Sequence, residues 1–352
     1  MLKLFDLESQ RKRDLIREKE FLIWLDCDNS SRYIYGRNKW GEEISQKFPN
    51  LGTFEEGNPK NIFQTNLKKL NALSVPMGVL PSSALYRAMS ISSSAVDAFT
   101  FFHFTKEYSL APTFIQDMHV ETNSHLEWYL NLLNRFEDTI SKNIFTSIMN
   151  FRSSWDLNHL KDLRDLRKLQ YLETFLELNE KDVFYDVGAF TGDSYQSLTE
   201  FFGNFAESYL FEPSEQNFNE AKIRLTSNKS VKLFNIGLSD KTEDLNLLED
   251  GSSSKTIPTG GQKFTAEKLD NLDITPPTFI KIDIEGMEEK FILGAVKTLE
   301  KNRPKIAIAI YHNPFQLRNV IELIDAIMPN CKFYLRHYTE GFTETILYVI
   351  PI

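Results

Sequence analysis

Short apolar runs that end in an acidic residue recur through the C-terminal half of the chain. These runs, each with its acid, are Val183–Asp186, Ser208–Glu212 and Phe279–Asp283. Continuous apolar runs of this length, separated by helical patterns, are typical of parallel strands buried on both faces. A further apolar run at residues 303–312 and a closing antiparallel pair at 332–338 and 344–350 complete the pattern. The sequence therefore predicts a Rossmann-like α/β domain over residues 181–352.

A second, smaller α/β pattern occupies the N-terminal third of the chain. Ser31–Gly36 predicts a strand that runs into a glycine turn, and residues 72–80 and 97–104 predict two more strands. The turn lacks the closely spaced glycines that bring a pyrophosphate to the backbone, so we expect a structural or substrate-positioning role for it. Four segments follow from these patterns. They are an N-terminal helix at 1–30, a small Rossmann-like α/β unit at 31–115, a helical connector at 116–180 and the larger α/β domain at 181–352.

Composition and charge narrow the class of partner. The 352 residues carry a formal net charge of -9, whereas a protein that grips a nucleic-acid backbone normally presents a basic patch. The 2 cysteines, Cys27 and Cys331, lie far apart in the sequence, which favours a reducing compartment over a disulfide framework. No apolar run reaches the roughly 18–20 residues that span a bilayer, and the N-terminal residues are highly charged. We expect a cytoplasmic protein with no nucleic-acid partner and no membrane span.

The turn after the first strand of the larger domain carries the most informative motif. Asp186 is followed by Gly188 and Gly192, and a helical pattern begins at Asp193. The glycines allow a sharp turn and a close approach of a ligand to the backbone at the carboxyl end of the strand. An acid at this point favours a cationic or neutral ligand over a pyrophosphate. S-adenosylmethionine fits this requirement because it carries an amino group and a sulfonium.

A second acid stands at the end of the next strand. Glu212 lies 26 positions after Asp186, a spacing that suits a strand, a helix and a second strand. An acid there can accept hydrogen bonds from both ribose hydroxyls, as it also does in NAD-binding domains. The NAD fingerprint has three glycines in the first turn, whereas this turn has two. Ile236, at the end of a third strand, is placed to pack against an adenine ring.

The ends of the next two strands carry candidate catalytic groups. Asp283 and Glu285 occupy alternate positions and so share a face, where paired carboxylates accept a proton, orient a hydroxyl or bind a metal. His312 ends the strand at 303–312, and a histidine at a strand end beside a cleft is a candidate general base near neutral pH. We predict all three as catalytic residues. A divalent metal at Asp283 and Glu285 is possible but is not predicted.

Five motifs, taken in order, resemble the FkbM-type S-adenosylmethionine-dependent methyltransferases. They are DVGAFTGDS, LFEP, IKIDIEGMEE, IAIYHNP and LRHYTEGFTETILYVIP, and they cover about residues 180–352. The resemblance implies a class I methyltransferase fold and transfer of a methyl group from S-adenosylmethionine to a hydroxyl of a sugar, glycan or other polyoxygenated metabolite. It also implies that Asp283, Glu285 and His312 face the acceptor. The residues that we predict to bind the cofactor are Asp186, Gly188, Gly192, Asp193, Glu212 and Ile236.

Two other functions stay open at this point. An NAD-dependent sugar-nucleotide enzyme would use the same strand, turn and ribose-binding acid, but the first turn lacks the third glycine. A non-catalytic binding protein for glycan assembly would keep the fold without turnover. A nucleic-acid methyltransferase is disfavoured by the net charge and by the segment His312-Asn313-Pro314-Phe315. The sequence indicates a small-molecule or glycan acceptor and gives no indication of an oligomeric state.

Overall fold

Two units make up the chain. The computed structural model describes residues 3–58, 66–105, 110–226, 228–250 and 253–352. The first unit consists of Met1–Asn134, Asp138–Arg167 and His337–Thr343. The second unit consists of Arg135–Glu137, Lys168–Arg336 and Glu344–Ile352. The division into four segments that the sequence suggests stays a prediction.

The first unit is built on a small parallel sheet. Its described strands are β1 (Arg32–Tyr35), β2 (Thr53–Phe54), β3 (Asn71–Ser74) and β4 (Ser94–Asp97). Their order across the sheet is β2-β1-β3-β4. Its described helices are α1 (Leu7–Asp26), α2 (Lys39–Lys47), α3 (Pro81–Ile91), α4 (Ala98–Phe104), α5 (Thr113–Ser124), α6 (Leu126–Leu133) and α7 (Thr139–Ser154). Buried side chains of α1, α4 and the sheet, among them Trp24, Ile34 and Phe101, form its hydrophobic core.

One predicted strand of this unit is a helix. The sequence predicts a strand over residues 97–104, whereas α4 covers Ala98–Phe104 and β4 ends at Asp97. The Asp97 side chain accepts a hydrogen bond from Thr100 N at 2.9 Å, which caps the helix at its first turn. Ala98, Phe99, Thr100, Phe101 and Phe102 are all buried. Because the run is buried on every side, it has no amphipathic period that separates a helix from a strand.

The glycine turn after β1 is held by neighbouring side chains. Gly36 has a φ of +85°, and a Cβ atom there would lie 2.8 Å from Pro76 Cδ. The Asn38 side chain accepts a hydrogen bond from Gly41 N at 2.9 Å and donates one to Val75 O at 2.7 Å. Asn38 therefore caps α2 and ties the turn to the segment that follows β3.

A larger mixed sheet forms the centre of the second unit. Its described strands are β5 (Val183–Val187), β6 (Glu207–Phe211), β7 (Val231–Phe234), β12 (Phe279–Ile282), β13 (Lys305–Ala309), β14 (Cys331–His337) and β15 (Thr345–Pro351). Their order is β14-β15-β13-β12-β5-β6-β7. The strands from β13 to β7 are parallel, and β15 pairs antiparallel with β13. The predicted Rossmann-like α/β fold is confirmed.

Helices and a second, smaller sheet complete this unit. The described helices are α8 (Asp193–Phe202), α9 (Glu215–Arg224), α10 (Glu288–Gly294), α11 (Val296–Asn302) and α12 (Gln316–Ile327). The strands of the smaller sheet are β8 (Gly237–Leu238), β9 (Glu243–Asp250), β10 (Ser253–Ile257) and β11 (Gln262–Glu267). Within the described parts of the chain, no helix has both the length and the apolar character that crossing a membrane requires.

The order of the large sheet reverses between β5 and β12. The chain leaves β5, moves outward through β6 and β7, and returns to the opposite side of β5 at β12. In open α/β sheets, ligands bind outside the carboxyl ends of the strands at such a reversal. The ends of β5 and β12 are therefore the expected position of a ligand-binding site.

Candidate active site

The carboxyl ends of four parallel strands carry most of the predicted site residues. Asp186 precedes the last residue of β5, Glu212 directly follows β6, Asp283 directly follows β12, and His312 follows β13. Since these four strands are neighbours in the sheet, their carboxyl ends share one edge. The structure thus brings the predicted cofactor acids and the predicted catalytic residues to the edge where the sheet order reverses.

The turn after β5 needs glycine for two separate reasons. Gly188 and Gly192 have φ values of +82° and +80°, a region that other residues seldom occupy. A Cβ atom on Gly188 would lie 1.9 Å from the carbonyl oxygen of Asp283, and one on Gly192 would lie 2.8 Å from Leu225 Cδ1. Gly188 therefore allows the ends of β5 and β12 to approach each other closely.

Replacement of Gly188 by Ala tests this approach. We expect the free energy of unfolding to fall by about 2–4 kcal/mol, because the positive φ and the overlap with the Asp283 backbone both oppose a methyl group. Urea denaturation would measure the change. Gly203→Ala is a matched control, since Gly203 has a φ of +89° and a Cβ atom there would have no neighbour within 4 Å. Equal losses in the two variants would contradict the close approach.

Glu212 bridges the first turn and the second strand. Its Oε2 accepts a hydrogen bond from Phe190 N at 2.8 Å, and its Oε1 accepts one from Ser214 N at 2.9 Å. Burial raises the pKa of Glu212 to about 7, although both backbone hydrogen bonds act in the opposite direction. The carboxylate is therefore held rigidly, and each of its oxygens keeps a further lone pair for a ligand hydroxyl.

Asp186 forms a buried ion pair that sequence reasoning missed. Lys281 is its register partner on β12, and the Lys281 Nζ lies 3.0 Å from Asp186 Oδ1. The same ammonium donates a hydrogen bond to Gly188 O at 2.5 Å. Both side chains are almost completely buried. Asp186 therefore acts on the glycine turn through Lys281.

The charges of this pair offset a large desolvation cost. Burial raises the pKa of Asp186 to about 6, with Lys281 opposing the shift. Burial also lowers the pKa of Lys281, but Asp186 and Asp283 outweigh burial and raise it overall. A lysine within the apolar run Phe279–Ile282 was the available signal, because a buried strand keeps a charge only when a partner faces it.

Beyond the ends of β12 and β13, a cluster of acids surrounds one histidine. Asp283 Oδ2 accepts a hydrogen bond from the Tyr171 hydroxyl at 2.9 Å. His312 Nε2 lies 3.4 Å from Asp283 Oδ1 and 3.6 Å from Glu285 Oε2. The side chains of Asp283 and Glu285 are 21% and 31% exposed, whereas that of His312 is 7% exposed. The three predicted catalytic residues are therefore brought together, with the two acids toward solvent.

Glu288 fixes the histidine from the other side. His312 Nδ1 lies 2.8 Å from Glu288 Oε1, which also accepts a hydrogen bond from Ile284 N at 3.0 Å. The Gln316 side-chain amide donates to Glu288 Oε2, and Gln316 Oε1 accepts from His312 N at 2.9 Å. Sequence reasoning missed Glu288 and Gln316, because only the fold brings the start of α10 to the start of α12.

The cluster is strongly coupled in charge. Burial by itself lowers the pKa of His312, but the hydrogen bond to Glu288 and the charges of Asp283 and Glu285 raise it to about 9. Burial acts to raise the pKa of Glu288, and the hydrogen bond and charge of His312 overcome it, so that this pKa is lowered. The positive charge of His312 and the negative charges of the carboxylates around it therefore stabilise one another.

The two remaining residues that we predict to contact the cofactor are Asp193 and Ile236. Asp193 is the first residue of α8 and is exposed, and its charge contributes to the raised pKa of Asp186. Ile236 lies between β7 and β8 and is half-buried. Both stay predictions as cofactor contacts, like the other site residues.

Comparisons with known proteins point to one family. Residues 186–335 match the family model for the methyltransferase FkbM domain. A crystal structure of methyltransferase FkbM from Methylobacillus flagellatus KT is 18% identical, covers 98% of this chain and 100% of that chain, and has a TM-score of 0.70. At this identity the likeness shows the fold, which confirms the class I methyltransferase fold expected from the sequence. None of the curated proteins matches the chain.

Other solved structures resemble this chain over a smaller part. Fibrillarin from Aeropyrum pernix, solved with natively bound S-adenosyl-L-methionine, is 9% identical, covers 49% of this chain and 67% of that chain, and has a TM-score of 0.34. An S-adenosylmethionine-dependent O-methyltransferase from Thermotoga maritima is 12% identical, covers 52% of this chain and 64% of that chain, and has a TM-score of 0.34.

Proposed function

We propose that this chain, whose residues 186–335 match the model of the FkbM methyltransferase family, transfers a methyl group from S-adenosylmethionine to a hydroxyl of a sugar, glycan or other polyoxygenated small molecule. One observation carries the proposal. A glycine turn held by Glu212 and a cluster of Asp283, Glu285 and His312 share one edge of the sheet, at the reversal of strand order.

The turn after β5 fits the cofactor. S-adenosylmethionine, when bound, supplies an electrophilic methyl group on a sulfonium sulfur. Glu212 is held by Phe190 N and Ser214 N, and as a carboxylate it can accept from the two hydroxyls of a ribose. Gly188 and Gly192, both at positive φ, let this turn pack tightly against Asp283 and Leu225. The acids at this edge favour a cationic nucleoside over a pyrophosphate.

Asp283 is the group that we assign to the acceptor hydroxyl. Tyr171 holds its Oδ2 in place, and the carboxylate can accept the hydrogen bond of the hydroxyl and then its proton. The exposure of Asp283 is three times that of His312, so an acceptor reaches Asp283 more readily than His312. Glu285 is placed to orient a neighbouring hydroxyl, and His312 positions both acids.

The charge of this surface limits the class of acceptor. Asp283 and Glu285 stand near Glu344, whose Oε2 accepts a hydrogen bond from the Tyr311 hydroxyl at 3.3 Å. Burial, together with the charge of Asp283, raises the pKa of Glu344. Several carboxylates at one edge disfavour a phosphorylated acceptor or a nucleic-acid backbone and suit a neutral polyhydroxylated molecule.

Methyl transfer can be tested on the full chain. The protein would be incubated with methyl-labelled S-adenosylmethionine and a panel of neutral sugars, sugar phosphates and glycans, and the products would be analysed by mass spectrometry. We expect labelled methyl on a hydroxyl of a neutral polyhydroxylated acceptor. Transfer to nitrogen, or no transfer to any of these acceptors, would contradict the proposed reaction.

The pH dependence of cofactor binding tests the role of Glu212. Because its pKa is raised to about 7, the carboxyl is ionised at pH 8 and mostly protonated at pH 6. A protonated carboxyl loses acceptor capacity, so we expect the Kd for S-adenosylmethionine to rise by about tenfold from pH 8 to pH 6. Calorimetric titration at several pH values would measure it.

Two variants separate this effect from titration elsewhere. Glu212→Gln should bind the cofactor about tenfold or more weakly at pH 8 and lose most of the pH dependence. Glu215→Gln, in an exposed acid at the start of α9, should keep the wild-type profile. A wild-type profile in Glu212→Gln would show that another group binds the ribose.

A further inference from the structure

We propose that His312 Nε2, Asp283 Oδ1 and Glu285 Oε2 form a binding site for a divalent metal ion that accepts oxygen ligands together with one imidazole, such as Mn²⁺. The predicted catalytic roles do not require a metal here. The inference comes from the spacing of the three groups and from the way their remaining atoms are held.

The distances suit ligands of one ion better than direct hydrogen bonds. His312 Nε2 lies 3.4 Å and 3.6 Å from the two carboxylate oxygens, beyond the about 2.7–3.2 Å of an ordinary N–H···O bond. Ligand atoms bonded to a common ion at about 2.1 Å lie from about 3.0 Å apart when adjacent to about 4.2 Å apart when opposite. Ligand atoms of Asp283, Glu288 and His312 also fall within 4.8 Å of one another. The distances from His312 Nε2 to the Asp283 and Glu285 carboxylates are therefore compatible with coordination of a single ion.

A buried nitrogen of the histidine points to a ligand. The His312 side chain is 7% exposed, and its Nε2 has no hydrogen-bond partner among the described residues. A buried polar atom without a partner costs free energy, so such atoms are rare unless an ion or water completes them. A metal ion between the two carboxylates and His312 Nε2 would give this nitrogen the partner that it lacks.

The surrounding hydrogen bonds resemble the outer shell of a metal site. Metal-binding histidines usually donate their other ring nitrogen to a carboxylate, and His312 Nδ1 meets Glu288 at 2.8 Å. Glu288 is in turn held by Gln316 and Ile284 N. Tyr171 holds the second oxygen of Asp283. The ring and the Asp283 carboxylate are thus oriented before any ion binds.

The donor set and its exposure indicate what the ion would do. Two carboxylates and one imidazole suit a hard or borderline ion such as Mn²⁺, and the set contains no thiol that would select a soft ion. Because Asp283 and Glu285 are partly exposed, an acceptor oxygen can reach the same ion. An ion there would make the acceptor hydroxyl more acidic, a step that rests on the proposed function.

Binding of Mn²⁺ to the full chain, without cofactor or acceptor, tests the site. Electron paramagnetic resonance would count bound Mn²⁺, and electron spin-echo modulation would detect an imidazole nitrogen on it. We expect one ion per chain with nitrogen modulation. His312→Gln should abolish the nitrogen signal, and both His312→Gln and Asp283→Asn should raise the Kd at least tenfold. Glu300→Gln, which removes an exposed acid on α11, should leave the Kd unchanged.

Each result decides for or against the site. Circular dichroism would identify the variants that fold, and Asp283→Asn keeps the test valid if His312→Gln does not. The proposal would be overturned if the wild type bound no Mn²⁺, or if nitrogen modulation persisted in a folded His312→Gln variant. It would also be overturned if Glu300→Gln raised the Kd for Mn²⁺ as much as Asp283→Asn does. A separate titration with S-adenosylmethionine keeps the two proposals distinct, because metal binding without cofactor binding would count only against the methyltransferase function.

Discussion

Asparagine in place of Asp283 is expected to lower kcat by about 10²–10⁴-fold while the Kd for S-adenosylmethionine stays within a factor of about two. The amide keeps the size of the carboxylate and can still accept from Tyr171, but it cannot take the proton of an acceptor hydroxyl. Steady-state kinetics with the acceptor found in the labelling experiment would give kcat. Calorimetry would give the Kd.

A neighbouring acid serves as the control for this prediction. Glu289 lies on α10 and accepts a hydrogen bond from Asn319 at 3.1 Å, a contact that glutamine preserves. Glu289→Gln removes one negative charge from the same region and should leave kcat unchanged. If Asp283→Asn retained wild-type kcat, neither a proton acceptor nor a metal ligand at this position would be tenable.

Methionine in place of Lys281 is expected to lower the free energy of unfolding by about 3–5 kcal/mol. The substitution leaves Asp186 fully buried without its ammonium partner, 3.0 Å away in the wild type. It also removes the donor to Gly188 O, so the glycine turn should loosen and cofactor affinity should fall. Urea denaturation and calorimetry would measure the two effects.

The double variant Asp186→Asn with Lys281→Met distinguishes an ion pair from simple packing. Once the buried carboxylate is neutral, the missing ammonium matters less, and we expect at least half of the lost stability to return. A loss equal to the sum of the two single substitutions would show that Asp186 and Lys281 do not stabilise each other.

The sheet was predictable because its strands are buried on both faces. Continuous apolar runs ending in Asp186, Glu212 and Asp283 mark β5, β6 and β12 without help from other parts of the chain. The same property misled the prediction for residues 97–104. A helix buried on every side also presents a continuous apolar run, and only the cap at Asp97 identifies it.

The site was predictable at the strand ends and not beyond them. Asp283, Glu285 and His312 follow strands and are polar, so their pattern alone marks them as candidates. Their partners Tyr171 and Glu288 reach them across 112 and 24 positions of sequence, a proximity that depends on the completed fold. Asp186 shows a second limit. Its position predicts a cofactor-binding acid, which stays a prediction, but that position does not indicate its ion pair with Lys281.

Calorimetric titration of the wild-type chain with S-adenosylmethionine and, separately, with NAD⁺ tests the cofactor assignment most directly. The turn held by Glu212 should bind one S-adenosylmethionine per chain and show no heat of binding with NAD⁺. A chain that binds NAD⁺, or that binds neither nucleoside, would contradict the assignment of this edge of the sheet to methyl transfer.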